Sequence, residues 1–600
     1  MPLRIEDYAL IGDCETAALV GRDGSIDWLC WPRFDSGACF AALLGTPEHG
    51  RWIIAPASEA RVTRRYRGDT LILETRFETD EGAATLIDFM PRRGARSHLV
   101  RQVVGERGTI RFATVLVIRF GYGEIVPWVT RTKDGLRAVA GPDMVRLRTE
   151  VALHGENLKT KGAFDVRAGE TQSFVLGYGP SHLPDPEPIE PEDALKDTEK
   201  FWREWSARAE LPEKASAAAK RSLITLKALT YAPTGGLVAA PTTSLPERLG
   251  GERNWDYRFC WLRDATMTLL ALMNTGYYDE ARCWRDWLLR AVAGTPAQMQ
   301  IMYGIAGERR LTELELPWLP GFEGSKPVRI GNAAHMQLQL DVYGELLDAL
   351  HQAREHGLAP NEFGWDVQRA VLEHLEKIWD QPDRGIWETR GPPQHFTYSK
   401  VMTWVAFDRS IKSAETFKLD GPVARWRELR KEIHADVCAN GFDRGLNSFV
   451  CAYGTKEFDA SLLLLPAVGF LPPEDPRIAG TVAAIERNLM WEGLVLRYRT
   501  SHNDDGLPSG EGVFLACSFW LADAYILLGR QAEARKLFDR LVGLCNDVGL
   551  LSEEYDVVDK RFLGNFPQAF SHLALVNTAC NLGHRKRPAD QRAEQPAPAK

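Results

Sequence analysis

Two short stretches hold the residues best equipped for chemistry. Asp383-Arg384-Gly385-Ile386-Trp387-Glu388-Thr389-Arg390 sets a carboxylate beside an indole, and Leu551-Ser552-Glu553-Glu554-Tyr555-Asp556 sets carboxylates beside a phenol. Cleaving a glycosidic bond needs one carboxylic acid to protonate the departing oxygen and one carboxylate to activate water or attack the anomeric carbon. Glu388 is the candidate acid and Glu553 the candidate base. An acid of this kind works best with a raised pKa, which Trp387 would help supply by excluding water. A sugar held between the two needs charged groups for its vicinal hydroxyls and aromatic faces for its C–H surface. The run Asn254-Trp255-Asp256-Tyr257-Arg258-Phe259-Cys260-Trp261-Leu262-Arg263-Asp264 offers Trp261, Arg263 and Asp264, while Arg497, Tyr498 and Glu511 lie further on. Arg263 and Asp264 open a helical segment, where an acid could equally serve as a cap. Trp318 and Trp491 sit in other long loops.

These residues need a scaffold that brings distant segments together. Beyond residue 215, apolar side chains recur at helical spacing in twelve segments, near 215–232, 263–275, 279–293, 333–356, 362–379, 397–415, 420–438, 457–466, 476–490, 512–529, 531–547 and 567–583. Connections after even-numbered segments are mostly short, such as the single Arg530, whereas those after odd-numbered segments are long. Six helical hairpins with all long loops at one end describe a closed α/α barrel with one elaborated face. Several long loops open alike, at Gly236-Leu237-Val238, Gly385-Ile386-Trp387, Gly445-Leu446-Asn447, Gly493-Leu494-Val495 and Gly549-Leu550-Leu551. Glycine just past a helix end is a stop signal, and the extended run after it carries side chains across the barrel mouth. Glu388 belongs to the third long loop and Glu553 to the sixth, which predicts opposite sides of the mouth and the wider carboxylate separation of an inverting mechanism, about 6.5–9.5 Å.

Residues 1–183 read differently, as short strands punctuated by turns. Ala18-Leu19-Val20 and Ser25-Ile26-Asp27-Trp28-Leu29 flank a turn containing Asp23-Gly24. Further runs near 51–54, 70–77, 84–89, 109–116 and 173–178 complete an antiparallel β-sandwich. Residues 184–212 form a proline- and acid-rich linker and a helix near 193–209 with Phe201, Trp202 and Trp205 on one side; the α/α barrel spans 213–584 and a disordered tail 585–600. The stretch Trp28-Leu29-Cys30-Trp31-Pro32-Arg33-Phe34-Asp35-Ser36 reads either as a strand crossing with a local Arg33–Asp35 pair or as a reach toward the barrel's active end.

A net charge of -8 with pI near 6.0 argues against nucleic acid, which wants a basic face. With no basic-then-apolar leader and no membrane-length apolar run, a cytoplasmic enzyme is expected. The ten cysteines form no CxxC pair and read as buried free thiols. Asp504-Asp505 reads as a solvated turn rather than a metal pair. A zinc-dependent barrel enzyme would need Cys/His ligands in the loops, and phosphoryl transfer a Gly-Lys dipeptide that never occurs. A non-catalytic carbohydrate-binding protein would keep the aromatics without needing two opposed glutamates.

Arg263-Asp264 after an aromatic run, Trp387-Glu388, Arg497-Tyr498 and Ser552-Glu553-Glu554-Tyr555-Asp556 together resemble glycoside hydrolase family 15, the glucoamylase and trehalase family, and residues 7–36 resemble the β-domain of its bacterial trehalase-like members. The resemblance implies an inverting, exo-acting α-glucoside hydrolase on a six-hairpin barrel that releases β-glucose from a non-reducing end without metal or cofactor. It assigns Glu388 as acid, Glu553 as base, Arg263, Asp264 and Arg497 as holders of the terminal glucose, and Trp387 as a subsite aromatic. Many glucoamylases have glutamine where Glu554 stands, and Gly324-Ser325-Lys326-Pro327 lacks the tryptophan that fungal relatives carry nearby. The N-terminal resemblance places trehalose ahead of malto- or isomalto-oligosaccharides, the substrates of a glucoamylase or glucodextranase. Oligomeric state and any activating ion stay open at this level.

Overall fold

The computed structural model describes residues 2–212, 216–361, 363–501, 505–583 and 588–592. Its N-terminal part contains fifteen antiparallel strands. They are organised by one long strand, Ser97–Val117, whose first half pairs with Gly82–Phe89 and Thr171–Pro180 and whose second half pairs with Arg51–Pro56 and Lys159–Arg167. One strand thus links the two sheets of the expected β-domain. The predicted hairpin joins Ala17–Gly21 to Ser25–Cys30, with Gly24 at φ 82°, a conformation that the Asp-Gly pair supplies cheaply. The hairpins at Arg61–Tyr66, Trp128–Thr132 with Gly135–Ala140, and Leu153–Glu156 with Lys159–Arg167 were not legible, because strands such as Trp128–Thr132 and Leu153–Glu156 lie almost wholly in solvent, so no buried face imposes an apolar alternation on them.

The linker is less free than its composition implies. The Asp185 carboxylate pairs with Arg137 at 3.0 Å and Arg146 at 3.2 Å, and Arg148 donates to the Pro186 carbonyl, so the segment is strapped to the sheet. Helix α1 (Pro191–Ser206) then buries Trp202 and Trp205, and Trp205 stacks on Tyr277 at 4.2 Å and donates to Glu280 at 2.6 Å, packing the segment against the barrel as its aromatic face predicts.

The barrel follows the predicted hairpins: α2 (Ser216–Ala228), α3 (Ala265–Asn274), α4 (Tyr278–Val292), α5 (Asp341–Glu355), α6 (Gly364–Leu375), α7 (Thr397–Phe417), α8 (Val423–Asn440), α9 (Pro476–Leu489), α10 (Leu515–Leu527), α11 (Gln531–Val542) and α12 (Ala569–Leu582). The segment near 457–466 is a single 3-10 turn, Ala460–Leu464, capped by Asp459. An inner ring runs through α3, α5, α7, this turn, α10 and α12, each packed on the next and α12 back on α3. Residue type decides the ring. Helix α12 buries 13 of its 14 residues and α7 17 of 21, so neither face could meet water, whereas α8 buries only Trp426, Leu429, Ile433 and Val437, one stripe worth roughly 1.5–3 kcal/mol per side chain. Among the loop-opening glycines, Gly385, Gly493 and Gly549 adopt φ of 67°, 72° and 81°. At Gly385 an added Cβ would also meet the Phe396 ring at 2.9 Å.

The tail reading needs correction. Pro588–Arg592 forms a short helix, α13, and Arg592 is buried in the barrel, donating to Asp348 at 2.6 Å, while Arg409 donates to the Arg592 carbonyl. The buried Asp348 carboxylate on α5 supplies the counter-charge that draws this part of the tail in; the rest of the expected tail lies outside the described residues. No described helix is long and apolar enough to cross a membrane. No disulfide joins any of the ten cysteines, and seven of them are buried.

Candidate active site

Glu388 sits at φ 51°, a left-handed conformation costly for a residue with a side chain. Gly385 turns the chain just before it, and Gln337 holds the strained turn by donating to the carbonyls of Glu388 and Thr389 at 3.2 and 3.3 Å. The Glu388 carboxylate accepts from the Trp261 indole at 3.1 Å and from Arg263 at 3.0 Å. Arg263 is itself fixed by Asp264 at 2.9 Å and lies 4.8 Å from the Phe570 ring centre. Asp264 occupies the N-cap of α3 but makes no side-chain cap bond, so its carboxylate serves Arg263 and the capping reading falls. Burial raises the Glu388 pKa, opposed by Arg263 and the Trp261 hydrogen bond. That balance favours a carboxyl that keeps its proton until a leaving oxygen needs it.

Trp387 is turned the other way, donating to both Asp459 oxygens at 3.0 Å and stacking with Trp520 at 5.8 Å. Beside it lies a buried cluster. Arg497 bonds Glu247 and Glu511 at 2.7 Å each and approaches Glu554 at 3.4 Å; Arg253 bonds Asp505 at 2.6 Å and approaches Glu511 at 3.5 Å; Tyr498 donates to Asp505 at 2.8 Å. Asp505 is therefore a buried ion-pair partner, correcting the solvated-turn reading; Asp504 lies outside the described residues. Carboxylate oxygens of Glu247, Glu511 and Glu554 fall within 4.8 Å of one another, a spacing suited to a cation, and the Arg497 guanidinium supplies that positive charge. Burial pulls the Arg497 pKa down, yet Glu247 and Glu511 carry it well above its usual value.

A narrow cavity at the barrel mouth is lined by Glu388, Trp387, Trp261, Arg497 and Tyr498, together with Glu247, Arg253, Trp255, Tyr257, Asn332, Arg390 and Asp505. Glu553 is 1% exposed and is not among the lining residues. One oxygen accepts the Asn565 amide at 3.2 Å, and the Tyr257 hydroxyl approaches the carboxylate without reaching full hydrogen-bond geometry. Tyr257 lines the cavity with Glu388, and burial raises its pKa, with the nearby charges of Glu553, Glu247 and Glu388 adding to it. Burial raises the Glu553 pKa and the Glu247 charge adds to it, opposed by Arg497 and Tyr257. Glu554 accepts from the Gly512 amide at 2.8 Å within the Arg497 cluster.

Of the predicted residues, the structure gathers Glu388, Trp261, Arg263 and Asp264 into one contact set and Arg497, Tyr498 and Glu511 into another, with Trp387 between them and Glu553 beside Tyr257. Trp318 and Trp491 do not line the cavity; Trp318 donates to the Tyr122 carbonyl in the β-domain. Sequence reading missed Glu247, Arg253, Trp255, Tyr257, Asn332, Gln337 and Arg390. Trp255 and Tyr257 lie in the aromatic run already singled out, but Glu247 in Pro246-Glu247-Arg248 carries no local signal.

Residues 213–580 match the family model described as glycosyl hydrolases family 15, and residues 1–172 match the trehalase-like N-terminal model. The trehalase of Mycolicibacterium smegmatis is 38% identical over 621 residues, covering 98% of this chain and 92% of that protein. The trehalase of Thermoplasma volcanium is 36% identical over 587 residues, covering 96% and 93%. A bacterial glucoamylase solved with acarbose shares the fold at a TM-score of 0.74 and 13% identity, covering 98% of this chain and 95% of that one. With its barrel matched throughout and its relatives aligned over nearly the whole length, this chain belongs to glycosyl hydrolases family 15 and is a glycoside hydrolase.

Proposed function

We propose that this enzyme hydrolyses trehalose, inverting one anomeric centre and releasing one β-glucose and one α-glucose. Glu388 protonates the bridging oxygen; Glu553 takes a proton from the water that attacks the opposite face. The observation that carries the reading is that Glu388 and Tyr257 line one cavity, with the buried Glu553 beside Tyr257, in a barrel whose relatives, aligned over nearly the whole chain, are trehalases. Arg497, locked by Glu247 and Glu511, presents a fixed guanidinium to the hydroxyls of the glucosyl unit, and the Trp261 indole and Arg263 hold the acid's carboxyl toward the bond. Ten cysteines with no disulfide among them fit work in the reducing cytoplasm.

Likeness in fold to a glucoamylase supports the second reading, action on malto- or isomalto-oligosaccharides. Initial rates on trehalose, maltose and isomaltose separate the two. Trehalose is expected to give the highest kcat/KM; a higher value on maltose or isomaltose overturns the trehalase assignment, and inactivity on all three overturns the hydrolase mechanism.

A further inference from the structure

The β-domain contributes no residue to the cavity lining, yet it grips the loop that builds it. In the stretch before α3, Tyr257 faces the cavity while its neighbours Asp256 and Arg258 are wholly buried, as alternation in an extended segment requires. Arg258 spends two nitrogens on Asp256, at 2.8 and 2.6 Å. Its third nitrogen is held entirely by the β-domain: by the Ser36 carbonyl at 2.9 Å, the Tyr122 hydroxyl at 2.8 Å and Cys30 Sγ at 3.5 Å. Asp256 meanwhile accepts the Gly331 amide at 3.0 Å, which ties in the second long loop. One guanidinium therefore joins the β-domain to two loops of the mouth, and it sits next in sequence to Tyr257.

We propose that Arg258 is a positioning residue, through which Ser36 and Tyr122 of the β-domain fix the direction of Tyr257 and thereby the seat of Glu553. The inference rests on the reading of Glu553 as base. It makes the N-terminal domain part of the catalytic apparatus without touching substrate: a buried fork bound on both sides leaves the intervening tyrosine no freedom, and small misplacements of such groups cost large factors in rate.

The test is Tyr122→Phe, which removes one hydroxyl and leaves the ring in its packing against Trp28, so the fold survives. Three results are expected in the full-length protein: kcat on trehalose falls about tenfold with KM changed less than threefold; backbone amides of residues 254–262 exchange hydrogen at least tenfold faster than in the parent; and in a Tyr257→Phe background the same Tyr122→Phe change costs less than twofold, because the residue through which it acts is already gone. Arg258→Lys, which keeps the charge and loses the fork, should reproduce the kcat loss. Unchanged kcat with unchanged exchange, or an equal loss in both backgrounds, overturns the proposal. If the parent enzyme cleaves no α-glucoside, the functional reading fails by itself, and the exchange comparison still decides whether the β-domain holds this loop.

Discussion

Replacing Glu388 by glutamine removes the proposed proton donor while keeping almost all of the packing around it. The amide oxygen can still accept from Trp261 and Arg263, now at 3.1 and 3.0 Å, and Arg263 keeps its bond to Asp264. Exchanging the carboxyl for an amide in that hydrogen-bonded set weakens the fold by about 1–2 kcal/mol, too little to unfold a chain of this size. Catalysis should suffer far more. Placed general acids contribute roughly 10²–10⁴-fold, or about 2.7–5.5 kcal/mol of barrel-mouth transition-state stabilisation. A substrate whose leaving group needs no proton separates this loss from any disturbance of binding. On trehalose, kcat of Glu388→Gln should fall at least a hundredfold; on α-glucosyl fluoride, where fluoride departs unprotonated, it should fall less than tenfold. Rates are read by glucose release and by a fluoride electrode. Turnover of trehalose within tenfold of the parent, or equal losses on both substrates, would refute the assignment of Glu388 as acid.

Other outcomes follow from the same geometry. Glu553→Gln should abolish turnover of both substrates, since water activation is needed for each, whereas Glu554→Gln, which swaps one acceptor in the Arg497 cluster, should retain measurable kcat; the reverse pattern in steady-state assays moves the base one residue along. A base must be unprotonated to act, so with Glu553 as the proposed base the acid limb of the kcat/KM profile should follow it. Glu247→Gln removes a charge that raises its pKa and should move that limb to lower pH, while Tyr257→Phe removes a group that lowers it and should move the limb to higher pH; opposite displacements in pH–rate profiles would refute this electrostatic account. Glu345, 3% exposed on α5, has its carboxyl pushed up to about 7 by burial. Between about 4.5 and 7 the unfolded chain ionises there and the folded one does not, so the native state loses up to about 3 kcal/mol of stability as pH rises, a loss that Glu345→Gln does not share. Melting scans should therefore show the variant gaining on the parent between pH 4.5 and 8, and a pH-independent difference contradicts the buried neutral acid.

Much of this architecture is written in residue spacing. The alternation of long and short connections announces hairpins with one elaborated end, whereas the inner ring emerges only from the packing, since a buried helix such as Ala569–Leu582 still carries Ser571, His572, Asn577 and Asn581. Glu388 and Glu553 stood out because they fall at matching loop positions beside aromatics, and Arg263 because it follows an aromatic-rich run at a helix start. Glu247 and Gln337 were not, because their roles depend on which loops meet across the mouth: Glu247 matters through Arg497, 250 residues away, and Gln337 through a strained carbonyl 51 residues on. The reach of Arg592 into the barrel was hidden for the same reason, since a charged, proline-rich tail reads as solvated until Asp348 is known to lie at the inner ring with room for a cation. The aromatic-rich stretch at 28–36 turns out to do both things considered for it: Arg33 pairs with Asp35 at 2.7 Å and also with Glu308 of the barrel at 2.7 Å, and the Trp28 indole donates to the Pro241 carbonyl at 2.8 Å.

The proposed acid–base pair is tested most directly by the configuration of newly released sugar. Proton NMR recorded in the first seconds of trehalose hydrolysis, before mutarotation, should show β-glucose appearing at the same rate as α-glucose, one from the attacked centre and one from the departing half. Appearance of α-glucose alone would mean that the anomeric centre is retained, and would contradict the assignment of Glu388 and Glu553 as acid and base on opposite faces of the bond.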